Sequence, residues 1–165
     1  MKKLKISEQE LKGYVNSICR EILISDWRPD YIVGITRGGL VPAVMISQYL
    51  NVKMNSLDVS LRDGGDCVSN CGMAEDAFAG KNILIVDDIN DTGATFNWII
   101  DDWQSLCRPS HESWDSVWNS NIKFATIVDN LASECIIKMD YAGLELNKKE
   151  NNVWVDFPWE NWWTK

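Results

Sequence analysis

The sequence predicts an α/β fold, a doubly wound and mostly parallel sheet, on three observations. Short apolar runs rich in β-branched residues alternate with stretches of helical periodicity. One such run, residues 83–86, stops at two adjacent carboxylates, Asp87 and Asp88. It then crosses a polar turn into the helical pattern Phe96, Ile99, Ile100, Trp103. An earlier run, residues 30–35, breaks at Thr36-Arg37-Gly38-Gly39 before a second helical pattern at 40–50, with Pro42 in its first turn.

The elements follow in order. Ser7 and Glu10 have capping-box spacing, and Leu11, Tyr14, Val15, Ile18 and Ile22 continue at helical intervals, which predicts a first amphipathic helix. The strand at 30–35, its Gly-rich turn and the helix at 40–50 come next. Residues 52–61 show strand-like apolar spacing. Residues 62–81 are rich in Gly, Asp, Ser and Asn and predict mainly loop, with a short helix around 73–78. After the acidic strand and its helix, residues 108–121 have the character of an insertion anchored by Trp114 and Trp118; exposed aromatics there would suit an oligomer contact. A strand at 122–128 follows, and Val153 to Val155 opens a short aromatic tail.

A chain of 165 residues suffices for one domain with its own core. The net charge of −8 argues against nucleic acid and anionic membranes as partners, since both require clustered Lys and Arg. A phosphorylated ligand must then be held locally, by helix termini, a few cations and a divalent metal. The five cysteines are scattered without a Cys-x-x-Cys pair and His111 is the only histidine, so neither a zinc site nor a disulfide framework is expected. His111 is assigned no catalytic role. With no signal-peptide apolar region and no run of membrane-spanning length, a cytoplasmic protein is expected.

The chemistry concentrates in residues 83–95. A strand that delivers a polar loop to a helix start offers free backbone N–H groups and the positive end of the helix dipole. Thr92 and Thr95 add hydroxyl donors, so a phosphate monoester is held without lysine. Asp87 and Asp88 stand where they can accept hydrogen bonds from a vicinal diol. Phosphate at one end and diol at the other describe a site for ribose 5-phosphate.

Four apolar residues, Asp87-Asp88, two variable residues and Asp91-Thr92-Gly93-Ala94-Thr95 resemble the phosphoribosyl-diphosphate (PRPP) motif of type I phosphoribosyltransferases. Residues 32–42 and the run Trp154-Val155-Asp156-Phe157-Pro158-Trp159-Glu160 resemble the diphosphate-binding and purine-binding stretches of the xanthine-guanine branch. The resemblance implies a single type I phosphoribosyltransferase domain over 1–165, with a lid loop at about 61–81, an insertion at about 108–121 and a small C-terminal hood at about 130–165. It implies Mg²⁺-dependent transfer of a phosphoribosyl group from PRPP to a purine base, and a homo-oligomer.

Carried over residue by residue, Asp87, Asp88 and Asp91 are catalytic, Asp91 exchanging a proton with N7 of the base. Thr36, Arg37, Gly38 and Gly39 bind diphosphate, with a cis peptide between Thr36 and Arg37. Asp87, Asp88, Asp91, Thr92, Gly93, Ala94 and Thr95 bind the ribose phosphate. Arg62, beside the lid glycines, supplies a further cation for the diphosphate. Trp154 stacks on the base, the Val155 backbone reads its edge, and Asp156 joins Asp88 on the metal. Asn130 stands where relatives using 6-oxopurines usually carry Lys, and an amide can face an oxo or an amino group. Two alternatives remain: a non-catalytic PRPP or nucleotide sensor of the same fold, and an enzyme for a different base. Retained Asp87, Asp88, Asp91 and Arg37 favour turnover over sensing, and the aromatic tail favours a purine.

Overall fold

Ser7 caps the first helix through its predicted box: its hydroxyl accepts from the Glu10 amide at 3.1 Å and the Glu10 carboxylate accepts from the Ser7 amide at 2.8 Å. The computed structural model describes residues 1–62 and 65–165. Asp63 and Gly64, part of the expected lid, lie outside the described residues. The chain runs β1 (Lys2–Lys5), α1 (Glu8–Ile24), β2 (Tyr31–Thr36), α2 (Leu40–Leu50), β3 (Met54–Asp58), α3 (Cys71–Phe78), β4 (Ile83–Asn90) and α4 (Ala94–Leu106). A short 3₁₀ turn at Glu112–Ser116 leads to β5 (Ile122–Asn130), β6 (Tyr141–Leu146) and β7 (Val153–Asp156).

The main sheet has five parallel strands in the order β3-β2-β4-β5-β6. The chain builds outward from β2 to β3, then resumes at β4 and builds the other way. The order therefore reverses between β2 and β4, and the crevice past the carboxyl ends of those strands is where open α/β sheets take ligands. Both motif loops, after Thr36 and after Asn90, leave the sheet there. β4 is covered on both faces, which is why it reads as a continuous apolar run: Ile83 and Ile85 join the layer of α3 and α4, while Leu84 and Val86 join that of α1 and α2.

The bounds of the hood and of the lid need adjustment, while the short helix at 73–78 and the insertion anchored by Trp114 and Trp118 stand as expected. Lys2–Lys5 pairs in parallel with Val153–Asp156 as a separate two-stranded ribbon, so the hood includes the start of the chain, while Tyr141–Leu146 belongs to the main sheet. The second half of the expected lid is helix α3, whose Met73, Ala74 and Ala77 are buried in the core. The insertion closes on its own chain. Trp114 is buried and stacks on Trp118 at 5.4 Å and 13°, Trp118 leans on Trp103 at 6.1 Å, and the Trp114 indole N–H donates to the Cys107 carbonyl. Trp114 is thus buried and Trp118 half-buried against the layer beneath α4.

Candidate active site

The turn from β4 to α4 depends on Gly93, whose φ is +88° and whose missing side chain would collide with the Cys135 backbone. Loop 131–140 fixes the same turn from outside. The Glu134 amide donates to the Thr92 carbonyl at 2.9 Å, and the Asn97 amide group bonds the backbone at Glu134 and Ile136. No side chain caps the start of α4; the Thr92 hydroxyl accepts from the Ala94 amide at 3.2 Å, and this turn stays open to the cavity. A helix of 13 residues thus directs its N-terminal amides at the site.

Across the switch point, the peptide between Thr36 and Arg37 is cis, as the resemblance implies. The Thr36 hydroxyl donates to Asp58 at 2.7 Å, tying the turn to β3. Gly38 lies against the Asp88 carboxylate so closely that any side chain there would overlap it. Thr36 and Gly38 line a cavity of about 330 Å³, together with Arg62, Asp87, Asp88, residues 91–95, Trp154 and Val155. Arg37 is exposed and Gly39 is packed beneath, and neither lines the cavity.

Asp87 is buried and Asp88 half-buried, and their local bonds are to backbone: Asp87 accepts from the Asp88 amide at 2.9 Å and Asp88 from the Ile89 amide at 2.8 Å. Burial first, and then the Asp88 charge, push the Asp87 carboxyl well above its ordinary range. Burial also raises Asp88, with the charge of Glu160 adding to it and the hydrogen bonds opposing. Such a pair fits a hard divalent cation, which would relieve the repulsion. Among the described residues no group of three or more Asp, Glu, His or Cys forms a ready cage, so substrate oxygens would have to complete the shell, as suits Mg²⁺.

Asp91 faces two cations. Its Oδ2 meets Arg62 Nη2 at 2.7 Å and its Oδ1 meets Lys148 Nζ at 2.8 Å. Arg62 therefore sits on the expected proton acceptor, close to where diphosphate is expected. Trp154 is 45 % exposed and borders the cavity, so it is a free indole face rather than core. Val155 lines the cavity too, while its strand pairs with β1 at Leu4.

Two expected residues stand elsewhere. Asn130 does not line this cavity, and its amide is committed to backbone. Nδ2 donates to the Asp91 carbonyl at 2.8 Å, and Oδ1 accepts from the amides of Ala132 at 3.1 Å and Lys148 at 3.0 Å. Those bonds use both lone pairs of Oδ1 and one N–H, and they hold the amide against backbone rather than toward the cavity. Asp156 turns to Lys165, whose ammonium lies 3.2 Å from its Oδ1, and of the tail's two carboxylates it is Glu160 that borders the cavity. Glu160 ends the aromatic run singled out in the sequence, but the resemblance assigns the metal role to Asp156 and none to Glu160. Lys148, in the turn between β6 and β7, carried no sequence signal.

An acid pair at a sheet's switch point, beside an open helix start and an indole-walled cavity, defines an α/β enzyme that handles a sugar phosphate. Residues 2–162 match the family described as phosphoribosyl transferase domain, and the chain belongs to that family. It is 33% identical over 159 residues to the xanthine-guanine phosphoribosyltransferase of Chromohalobacter salexigens, covering 94% of this chain and 82% of that protein. It is 24% identical to the hypoxanthine-guanine phosphoribosyltransferase of Schizosaccharomyces pombe, covering 85% and 81%. The crystal structure of a purine phosphoribosyltransferase from Pyrococcus horikoshii superposes with a TM-score of 0.69 at 24% identity, covering 98% of this chain and 96% of that one, and so shares the fold. No helix among the described residues is long and apolar enough to cross a membrane.

Proposed function

We propose that this phosphoribosyltransferase joins a purine base to PRPP, releasing diphosphate and a nucleoside 5′-monophosphate. The observation that carries the reading is the single cavity onto which the ribose-binding acid pair, the open α4 start, Asp91 and the face of Trp154 all converge. In this reading the α4 amides and Thr92 and Thr95 hold the 5-phosphate, and Asp87 and Asp88 accept from the ribose hydroxyls. The turn at Thr36 to Gly39 and Arg62 receive the diphosphate. Trp154 offers a flat wall to the base.

The chemistry breaks the bond between C1 of the ribose and the diphosphate oxygen, and the bonding pair leaves with the diphosphate. N9 of the base supplies the pair for the new bond to C1, and the proton on N7 passes to Asp91. As positive charge grows on the sugar, Asp87 and Asp88 stabilise it more in the transition state than in the ground state. Asp88, with Glu160 on the same cavity, would hold a Mg²⁺ ion brought with PRPP, which would supply neutralisation of the leaving group. Asp91 and Lys148 within this cavity support turnover over a sensor role.

The test is diphosphate release by purified protein with Mg²⁺, PRPP and, in turn, guanine, xanthine, hypoxanthine and adenine. Release with at least one base, matched by an equal amount of nucleoside monophosphate, is expected. Silence with all four from folded protein would overturn the proposal.

A further inference from the structure

We infer that Lys148 is the residue that selects the base at its 6-position, and that Asn130 is its positioning residue. The inference rests on the purine-transfer reading above. Asn130 binds two backbone points at once, the Asp91 carbonyl through Nδ2 and the Lys148 amide through Oδ1. One buried amide thus fixes the turn after β6 against the loop after β4 and sets Lys148 Nζ 2.8 Å from Asp91 Oδ1. Both side chains are largely enclosed, at 18% and 20% exposure, and both line the 330 Å³ cavity. Arg62, the other cation on Asp91, is 60% exposed and meets the other carboxylate oxygen, Oδ2.

The result is an acceptor and a donor side by side on the wall of the cavity. A 6-oxopurine protonated at N7 presents the complementary edge, an N–H donor next to a carbonyl acceptor. Asp91 accepts from N7–H and the Lys148 ammonium, which can only donate, bonds O6. A 6-aminopurine would set an amino donor against that ammonium and leave both unsatisfied in an enclosed site, the kind of mismatch that discriminates strongly. The residue standing at the sequence position of a base-reading lysine therefore reads nothing itself; it holds in place a lysine that arrives from a different turn.

The experiment compares kcat/KM for hypoxanthine, adenine and unsubstituted purine in the wild type, Lys148→Met and Asn130→Ala, with the KM for PRPP and the melting temperature recorded for each. In the wild type hypoxanthine should be preferred. Lys148→Met should reduce the preference for hypoxanthine over adenine and over purine by about ten- to hundredfold, with the KM for PRPP changed less than about threefold. Asn130→Ala should reduce the same two ratios, a change that general loosening of the fold would not produce. Unchanged ratios in Lys148→Met would overturn the assignment of Lys148, and equal loss with every base in Asn130→Ala would overturn the positioning role. A wild type that uses none of the bases would instead overturn the purine-transfer reading.

Discussion

The two ends of the cavity are assembled in opposite ways. At the ribose end, Asp87, Asp88, Thr92, Gly93 and Thr95 come from one strand, one turn and one helix start, so the chemistry is written in consecutive residues. At the proposed base end, Asp91, Lys148 and Trp154 come from three separate stretches, brought together by the Asn130 amide and by pairing of β7 with β1. The local end can bind the substrate part common to the family. The composite end is the one where, on the inference above, a lysine from another turn takes the place of the residue the resemblance points to.

The sharpest way to separate the ends is Asp91→Asn, which removes the proton acceptor and leaves the acid pair intact. Turnover should fall by roughly 10²- to 10⁴-fold while the Kd for Mg·PRPP, measured by calorimetry, moves less than about threefold. Equal loss in both would place Asp91 in substrate binding. Next in size, Trp114→Ala should destabilise the protein by about 3–5 kcal/mol in urea unfolding, because it empties a stacked position in the core far from either end. The surviving folded enzyme should keep its KM values; a raised KM would tie the insertion to the site.

Trp154→Ala tests the composite end alone. Loss of a stacking face costs about 1–3 kcal/mol per base, so the base KM should rise roughly ten- to hundredfold with little effect on PRPP. The smallest effect is expected on stability, from Asp87→Asn. Asp87 is a carboxylate raised by burial and by Asp88, so the folded chain keeps its proton over a pH range in which the unfolded chain has lost it. Its stabilising contribution is complete below the ordinary carboxylate range and is lost as pH rises through the raised value. Asp87→Asn should therefore increase the melting temperature by a few degrees near neutrality and flatten its decline with pH, while weakening PRPP binding. A lowered melting temperature would mean that the carboxylate stabilises the empty site.

The contrast also explains which features the sequence disclosed. Strands β2, β4 and β5 and helices α1, α2 and α4 were legible because burial on both sheet faces and one helix face leaves periodic apolar patterns. Strand β1 was not, since three of its four residues are lysine and its partner is the chain's far end. Strand β6 carries Gly143, which reads as a breaker; its missing side chain is what lets Tyr14 of α1 pack on the strand. The bonds of Asn130 were hidden for a related reason. Its sequence position matched a base-reading residue, but its side chain is consumed by backbone groups that only the folded chain brings within reach. Lys148 and the pairing of Asp156 with Lys165 are contacts of the same kind, set by tertiary structure and invisible to spacing.

The most direct measurement is a crystal structure of the protein with its nucleoside 5′-monophosphate product and Mg²⁺. The phosphate is expected on the amides and hydroxyls of residues 92–95, the ribose hydroxyls on Asp87 and Asp88, and the base against Trp154 with its N7 edge toward Asp91 and Lys148. A phosphate bound elsewhere, with the start of α4 left facing solvent, would contradict the account at its foundation.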